Sequence, residues 1–440
     1  MPQDALGNEV TTSEAATLAG IDDFITGFLA YETKAANVMA AADADAGSVL
    51  ANVYAGFSWM FLEAEAAPVM ASAYLRRAES AGRPNEREAL LVGQLRHWIA
   101  GDVPAVQAIG TEIVDRWPRD LASVKLDQYF SFNRGDADRM LRIARAVEAA
   151  NPDSPHLFGM LAFAHEQSHQ LDEAERAARR ALDLKAKEPW AQHALAHVML
   201  GTGRVREGVA FLDEASRTWV DLNSFMYTHN WWHKALFHIS LGDEAAVLDA
   251  YDHHVWGIEP TYSQDQVGAV SLLARMEVAG IDVGNRWEEL ARYLRPRAAD
   301  VVQPFLSLQY LYGLARADYA EADQLMAAIT DKAERSTAFD RLVWRDVALP
   351  AARGMLAHAR NNHADAARWL TIANPRLVEI GGSHAQRDLF GQILLDAHLK
   401  QGNWTIAQTM LEMRRTWDPD GVPLNRALTQ ARSHLLEPSR

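Results

Sequence analysis

The chain has 440 residues, of which 49% are hydrophobic and 23% charged, the composition of a folded globular protein rather than of a disordered or fibrous one. Its formal net charge of -15 argues against nucleic acid or an anionic membrane surface as a partner, because binding to phosphates relies on clustered Lys and Arg. It contains no cysteine, which excludes disulfides, thiolate nucleophiles and cysteine-ligated zinc, and which fits a reducing cytosol.

The N-terminal stretch "MPQDALGNEVTTSEAATLAG" lacks the basic and apolar segments of a signal peptide. The sequence also contains no uninterrupted apolar run of about 18 residues, the length that a membrane-spanning helix needs. We therefore expect a cytoplasmic protein with no membrane partner. Apolar stripes at helical spacing predict helix pairs before residue 85. We expect residues 1–85 to form an N-terminal helical region that caps a solenoid formed by residues 86–440.

An internal repeat dominates the middle of the chain. The segment "GMLAFAHEQSHQLDEA" aligns with "HALAHVMLGTGRVREG" at an offset of 34 residues, and "ALAHVMLG" returns as "ALFHISLG" after 41. Alternating helices with short turns and a 34-residue period resemble the tetratricopeptide repeat (TPR). Alternating strand patterns are nearly absent. We predict an all-α fold, a right-handed TPR-like α-solenoid of antiparallel helix pairs.

Longer strings sharpen this resemblance. The segments "EPWAQHALAHVMLGTGRVREGVAFLDEASRTW", "HNWWHKALFHISLGD" and "GGSHAQRDLFGQILLDAHLKQGNW" resemble the tetratricopeptide repeat protein 38 family, from about residue 85 to the C-terminus. In "PFLSLQYLY", Ser307 and Gln309 stand where that family has Asp and His. The resemblance implies a helical-repeat fold and supplies no mechanism.

The string "HEQSH", His165 to His169, matches the H-E-x-x-H pattern of zinc hydrolases. That pattern requires both imidazoles on one face of a helix. The repeat register instead predicts that Glu166 lies near the end of a helix and His169 in the turn after it. We therefore expect no stoichiometric zinc and no cofactor, and we rank a zinc hydrolase as the third hypothesis.

The same register places Glu166 on the concave surface of the solenoid, with Trp190, His193 and His197 contributed by the next repeat. The spacing of three and four residues between these last three side chains puts them on one helical face. A carboxylate beside imidazoles has the groups needed for general acid–base catalysis. The alternative is structural, because Trp and His often fill the interfaces between repeats.

The following repeat contains "HNWWH" and then His238. In helical spacing His229 and His233 share one face, whereas Trp231, Lys234 and His238 share another. The sequence leaves open which face lines the groove. Tryptophans at positions 190, 231 and 232 are suited to stacking on a flat or cationic ligand.

Near the C-terminus, "GGSHAQRD" contains a capping box in which Ser383 pairs with Gln386. Three further residues at this helix start are His384, Arg387 and Asp388. They are suited to binding a carboxylate or phosphate, or to forming a salt-bridge cluster between adjoining repeats. We favour the salt-bridge cluster.

Two functional classes follow. In the first, a groove rich in histidine and tryptophan binds a small-molecule or peptide ligand, without nucleic acid or membrane, and homo-oligomer formation stays open. In the second, the protein is a metal-independent hydrolase or lyase. Its candidate acid–base residues are Glu166, His193 and His197. The candidate ligand-binding residues are Trp190, His229, Trp231, Trp232, His233, His238, His384, Arg387 and Asp388.

Overall fold

A computed structural model describes residues 1–336 and 340–436 of the chain. These residues form α-helices joined mostly by short turns. The helices are α1 (Ala15–Ala30), α2 (Asn37–Ala44), α3 (Val49–Met60), α4 (Ala67–Ser80), α5 (Glu86–Ile99), α6 (Val103–Arg116), α7 (Leu121–Phe132), α8 (Ala137–Ala146), α9 (Pro155–Gln167), α10 (Leu171–Leu184), α11 (Pro189–Gly201), α12 (Val205–Ala215), α13 (Ser224–Leu241), α14 (Glu244–Ala250), α15 (Ser263–Val278), α16 (Arg286–Leu294), α17 (Pro304–Arg316), α18 (Glu321–Arg335), α19 (Arg341–Val343), α20 (Leu349–Ala359), α21 (His363–Ala373), α22 (His384–Lys400), α23 (Trp404–Arg414) and α24 (Val422–Leu436).

β-Structure within the described ranges is limited to two isolated bridges, Gln3 with Glu9 and Glu32 with Leu222. The predicted all-α fold of antiparallel helix pairs is therefore confirmed. None of the helices described combines the length and the apolar character needed to cross a membrane.

The chain divides into two compact units. The first comprises residues 1–132, 136–195 and 218–226, and the second comprises residues 133–135, 196–217 and 227–440. Helices α1 to α4 thus belong to the same unit as α5 to α10. The boundary near residue 85 and the capping role of residues 1–85 stay predictions.

In the first unit, consecutive helices pack as pairs: α3 with α4, α5 with α6, α7 with α8 and α9 with α10. Within the last of these pairs, α10 buries Ala174, Ala178 and Ala181 completely. Their spacing of four and three residues forms one apolar stripe, and the small side chains let the partner helix approach closely.

The starts of the helices show how regular the repeat is. Leu121, Pro155 and Pro189 begin α7, α9 and α11 at intervals of 34 residues. Ala137, Leu171 and Val205 begin α8, α10 and α12 at the same interval. The TPR-like register therefore extends one helix pair further towards the N-terminus than the sequence alignment showed.

In the second unit, α15 packs on α16, α17 on α18, α20 on α21 and α23 on α24. Helix α13 has 18 residues, whereas α11 has 13, and this extra length accounts for the irregular third interval of the repeat. Gly208 of α12 lies against the Phe237 ring of α13. A Cβ atom at Gly208 would come within 2.4 Å of the ring, so only glycine permits this approach.

Candidate functional site

The "HEQSH" motif lies at the end of α9. His165 is in the last turn of that helix, which ends at Gln167, and His169 follows in the left-handed region with φ of 57°. The two imidazoles therefore cannot project from one helical face, as the zinc-hydrolase pattern requires. The predicted position of His169 in the turn is confirmed. In addition, Nδ1 of His165 lies 2.8 Å from Oε1 of Gln170, a contact that fits a structural role.

Glu166, Trp190 and His193 belong to the first unit. Glu166 is 4% exposed, and its carboxylate accepts a hydrogen bond from Nε2 of Gln167. The His193 ring is 1% exposed and stacks on Trp190 with a centroid distance of 4.4 Å and an interplanar angle of 19°. Trp190 also contacts Phe163 at 4.6 Å. The Trp190 face proposed for a ligand is thus covered by a side chain of this same protein.

Three histidines of the second unit converge. His197 is carried by α11, one turn after His193, and His229 and His233 lie one turn apart on α13. The ring centroids are 4.4 Å apart for His197 and His233 and 4.8 Å apart for His229 and His233. All three side chains are buried, and one nitrogen from each lies within 4.8 Å of the others. We call these three residues the histidine cluster.

The electrostatics at His229 favour a neutral ring. Desolvation by burial, with a smaller contribution from the neighbouring His197, lowers the pKa of the His229 imidazole to about 3. His229 is therefore uncharged at neutral pH. A neutral imidazole carries a lone pair on one ring nitrogen, which is the form that accepts a hydrogen bond or ligates a metal.

Helix α13 has the two faces that its spacing predicts. His229 and His233 point to the buried cluster, whereas Trp231, Lys234 and His238 lie on the half-buried face. On that second face the Lys234 ammonium is 4.4 Å from the centre of the Trp231 ring. Nδ1 of His238 is 3.3 Å from an oxygen of Asp243. The structure thus shows which face of α13 joins the cluster; which face lines a groove stays open.

Trp231 and Trp232 have different environments. Trp231 stacks on His254 with a centroid distance of 3.7 Å and an interplanar angle of 6°. Trp232 is 1% exposed and stacks on His229 at 5.3 Å and 8°. Trp232 is part of the hydrophobic core of the second unit. It therefore packs against the histidine cluster and offers no exposed face to a ligand.

A small cavity of about 10 Å³ adjoins His229, which is room for roughly one water molecule. Its polar lining includes Gln264, Ser271 and Gln386. The buried Arg275 donates to the Ser271 hydroxyl at 2.7 Å and thereby fixes one wall. Sequence reasoning named Gln386 only as part of a capping box and missed Gln264, Ser271 and Arg275. The one available signal was a charged residue inside the apolar string "GAVSLLARM".

The capping box of "GGSHAQRD" is confirmed: the Ser383 side chain accepts from the Gln386 backbone, and the Gln386 side chain accepts from the Ser383 backbone. Arg387 donates to the carbonyl of Gly382. Asp388 forms a two-pronged ion pair with Arg414 of α23, with N–O distances of 2.5 and 2.7 Å. For Asp388, the structure matches the favoured hypothesis of a salt bridge between neighbouring helices. Ligand binding by His384 and Arg387 stays a prediction.

Replacement of Asp388 by Asn is expected to lower the free energy of unfolding by about 1 to 2 kcal/mol at pH 7. Burial raises the pKa of the Asp388 carboxyl, but the charges of Arg414 and Arg275 and the hydrogen bonds outweigh it and bring the pKa to about 2, below the ordinary 3.8. A shift of one unit corresponds to about 1.4 kcal/mol, and the 32% exposure of the side chain reduces the effect by solvent screening.

The sign of the pH dependence follows from that depressed pKa. The stabilisation is present above about pH 4 and is lost as the pH falls towards 2, because the carboxylate must then be protonated. Urea unfolding of the wild type and of Asp388→Asn from pH 7 to pH 2 measures this difference. A difference in unfolding free energy between the two proteins that stays constant below pH 4 would contradict the assignment of Asp388 to this ion pair.

The two positions at which the sequence departs from the resembled family are buried in α17. The Ser307 hydroxyl donates to the carbonyls of Asp300 and Gln303 at 2.8 and 3.0 Å, so it secures the start of the helix. Gln309 is completely buried.

No family model matches the chain. Similar solved structures include yeast Tom70, with a TM-score of 0.34 and 12% identity over 95% of this chain and 87% of that one. They also include Naa15/Naa10 bound to HypK-THB, with a TM-score of 0.26 and 11% identity over 96% of this chain and 66% of that one. Neither likeness is strong enough to carry an argument, so the description as a TPR-like helical-repeat protein rests on the helix pairs and their 34-residue spacing.

Proposed function

We propose that this helical-repeat protein binds a small polar ligand at the histidine cluster, with one polar group of the ligand in the cavity beside His229. The observation that carries the proposal is the convergence of three buried imidazoles, one of which, His229, lines a small cavity with both polar and apolar walls. Apolar side chains would fill a helix interface at lower cost, because burying a polar ring removes its hydrogen bonds to water. Clusters of buried titratable groups beside a cavity are typical of binding and catalytic sites.

Burial favours a small molecule over a peptide. His229 is the most exposed member of the cluster, and only 8% of its surface is accessible. An extended peptide needs an open groove along which its backbone can lie. The Gln264, Ser271 and Gln386 side chains offer both donors and acceptors, which suits a compact ligand with carboxylate, amide or hydroxyl groups. We also propose that the chain is related to the tetratricopeptide repeat protein 38 family. That relationship would not specify the ligand.

The proposal is tested by a thermal-shift screen of small carboxylates, amides, amino acids and tripeptides. A ligand at 100 times its dissociation constant is expected to stabilise the protein by about 2.7 kcal/mol. This stabilisation should be lost in His229→Gln and in Gln264→Leu. It should persist in His238→Gln, which changes a histidine on the other face of the same helix. Circular dichroism confirms that each variant is folded.

Three outcomes decide the matter. Stabilisation by a small molecule that depends on His229 and Gln264 supports the proposal. A screen in which no compound stabilises the wild type, or in which only tripeptides do, overturns it. If a bound compound is consumed, and Glu166→Gln abolishes turnover while leaving binding intact, the protein is the metal-independent hydrolase or lyase of the second hypothesis. Variants His193→Gln and His197→Gln then test the other two acid–base candidates.

A further inference from the structure

We propose that His197, His229 and His233 hold a divalent first-row transition-metal ion, with zinc as the expected occupant. This inference deepens the proposed function and rests on the same cluster, since the metal would be the group that a small polar ligand meets there. It departs from the expectation of a metal-free protein, which was based on "HEQSH" and on the absence of cysteine. The histidine cluster involves neither.

The geometry of the three side chains carries the inference. Ligands around tetrahedral zinc lie roughly 3.3 Å apart, because each Zn–N bond is about 2.0 to 2.1 Å long. Nitrogens of the cluster already lie within 4.8 Å of one another, so each pair needs to approach by at most about 1.5 Å to reach the spacing in a zinc site. His229 and His233 are four residues apart on α13, the separation at which two imidazoles of one helix reach a common ion. His197 approaches from α11.

The chemistry of the donors selects the class of metal. Imidazole nitrogen suits zinc, copper, nickel and iron, whereas magnesium and calcium prefer oxygen ligands. Zinc imposes no geometric preference of its own and accepts three histidines with a fourth position left for water or substrate. The cavity that His229 lines offers polar groups and room for roughly one water molecule.

The surroundings of His229 also fit a metal ligand. One face of its ring stacks in parallel on Trp232, at an interplanar angle of 8°. The preceding residue, Thr228, donates its hydroxyl to the completely buried carboxylate of Asp265 at 3.3 Å. This hydrogen bond holds the helical turn that carries His229, and contacts around a ligand help to orient its ring.

A second group of potential ligands lies elsewhere in the described residues. His358, His363 and Asp396 also lie within 4.8 Å of one another. Both ring nitrogens of His358 have protein partners, the Tyr312 hydroxyl at 3.1 Å and an Asp396 oxygen at 2.9 Å. His358 is therefore engaged in a hydrogen-bonded chain. Because it is 8% exposed, the same as His229, it provides a matched control.

The experiment measures metal content directly. The full-length protein is purified without a nickel column or chelator, and its metals are determined by inductively coupled plasma mass spectrometry. We expect about one zinc per chain. The zinc affinity should fall more than about 100-fold in His197→Gln, His229→Gln and His233→Gln, since loss of outer-shell partners alone costs about 10- to 100-fold. His238→Gln and His358→Gln should bind zinc as the wild type does.

A spectroscopic measurement keeps the inference testable if the cluster variants fail to fold. Cobalt added to metal-free wild-type protein should produce the intense visible bands of four-coordinate Co²⁺, and zinc should abolish them. Wild-type protein that takes up neither zinc nor cobalt overturns the inference, as does equal zinc binding by His229→Gln and the wild type. Repeating the ligand screen on metal-free protein separates the two proposals, because a ligand that still binds there supports the proposed function without a metal.

Discussion

Replacement of Asp120 by Ala is expected to lower the free energy of unfolding by about 3 kcal/mol, near the lower end of the usual cost of removing one partner of a buried ion pair, because Arg87 keeps the Asp4 carboxylate as a second partner. Arg87 of α5 contacts Asp4 at 2.7 Å and Asp120 at 2.9 Å, and each of these side chains is at most 2% exposed. Asp120 also accepts a hydrogen bond from the backbone of Ser123 at the start of α7. The substitution therefore removes both a charge partner and a helix cap.

Urea unfolding followed by circular dichroism measures this loss. The control is Glu288→Ala, which breaks an ion pair with Arg292 in which both side chains are 63% exposed. Exposed pairs of this kind contribute little, so the control should change stability by less than about 0.5 kcal/mol. Similar losses in the two variants would show that the Arg87 network is not buried as described.

Replacement of Trp232 by Ala is expected to destabilise the protein by about 3 to 5 kcal/mol, because the substitution opens a large cavity in the core. Trp232 stacks on His229, meets His233 edge-on at 4.8 Å, and lies 5.2 Å below the Arg275 guanidinium. Its removal takes away packing from two members of the histidine cluster at once. We therefore expect weaker ligand and metal binding as well as lower stability.

The neighbouring tryptophan provides the matched comparison. Trp231 is half-buried on the other face of α13, so Trp231→Ala should lower stability by only about 1 to 2 kcal/mol. Unfolding is followed by circular dichroism, because both substitutions alter the fluorescence signal. Equal losses from the two substitutions would contradict the assignment of Trp232 to the core.

The sequence predicted the positions of residues correctly where they follow from the helical period or from the 34-residue repeat. The 34-residue offset placed His169 in a turn and Glu166 near a helix end, since register along a repeat follows from small residues such as Ala174. Helical spacing alone separated His229 and His233 from Trp231 and Lys234. These predictions needed no knowledge of which helices meet.

Contacts between distant segments could not be predicted in the same way. Arg414 pairs with Asp388 across 26 residues, and nothing local to either residue indicates the other. His197 meets His233 although the repeat alignment matches it to His238, because the longer α13 shifts the correspondence between the two helices. The burial of His193 and His197, whose exposed fractions are 1% and 3%, likewise depends on tertiary packing.

The length of α13 also limits how natural sequences of this protein can diverge. Each residue added to or removed from a helix rotates everything after it by about 100°. A single deletion between His229 and His233 would therefore turn one imidazole away from the other and bring polar side chains such as Lys234 towards the core. Insertions and deletions should instead accumulate in turns such as residues 202–204 and 242–243. Evolutionary change in this region is thus expected to vary the connections while conserving the spacing inside α13.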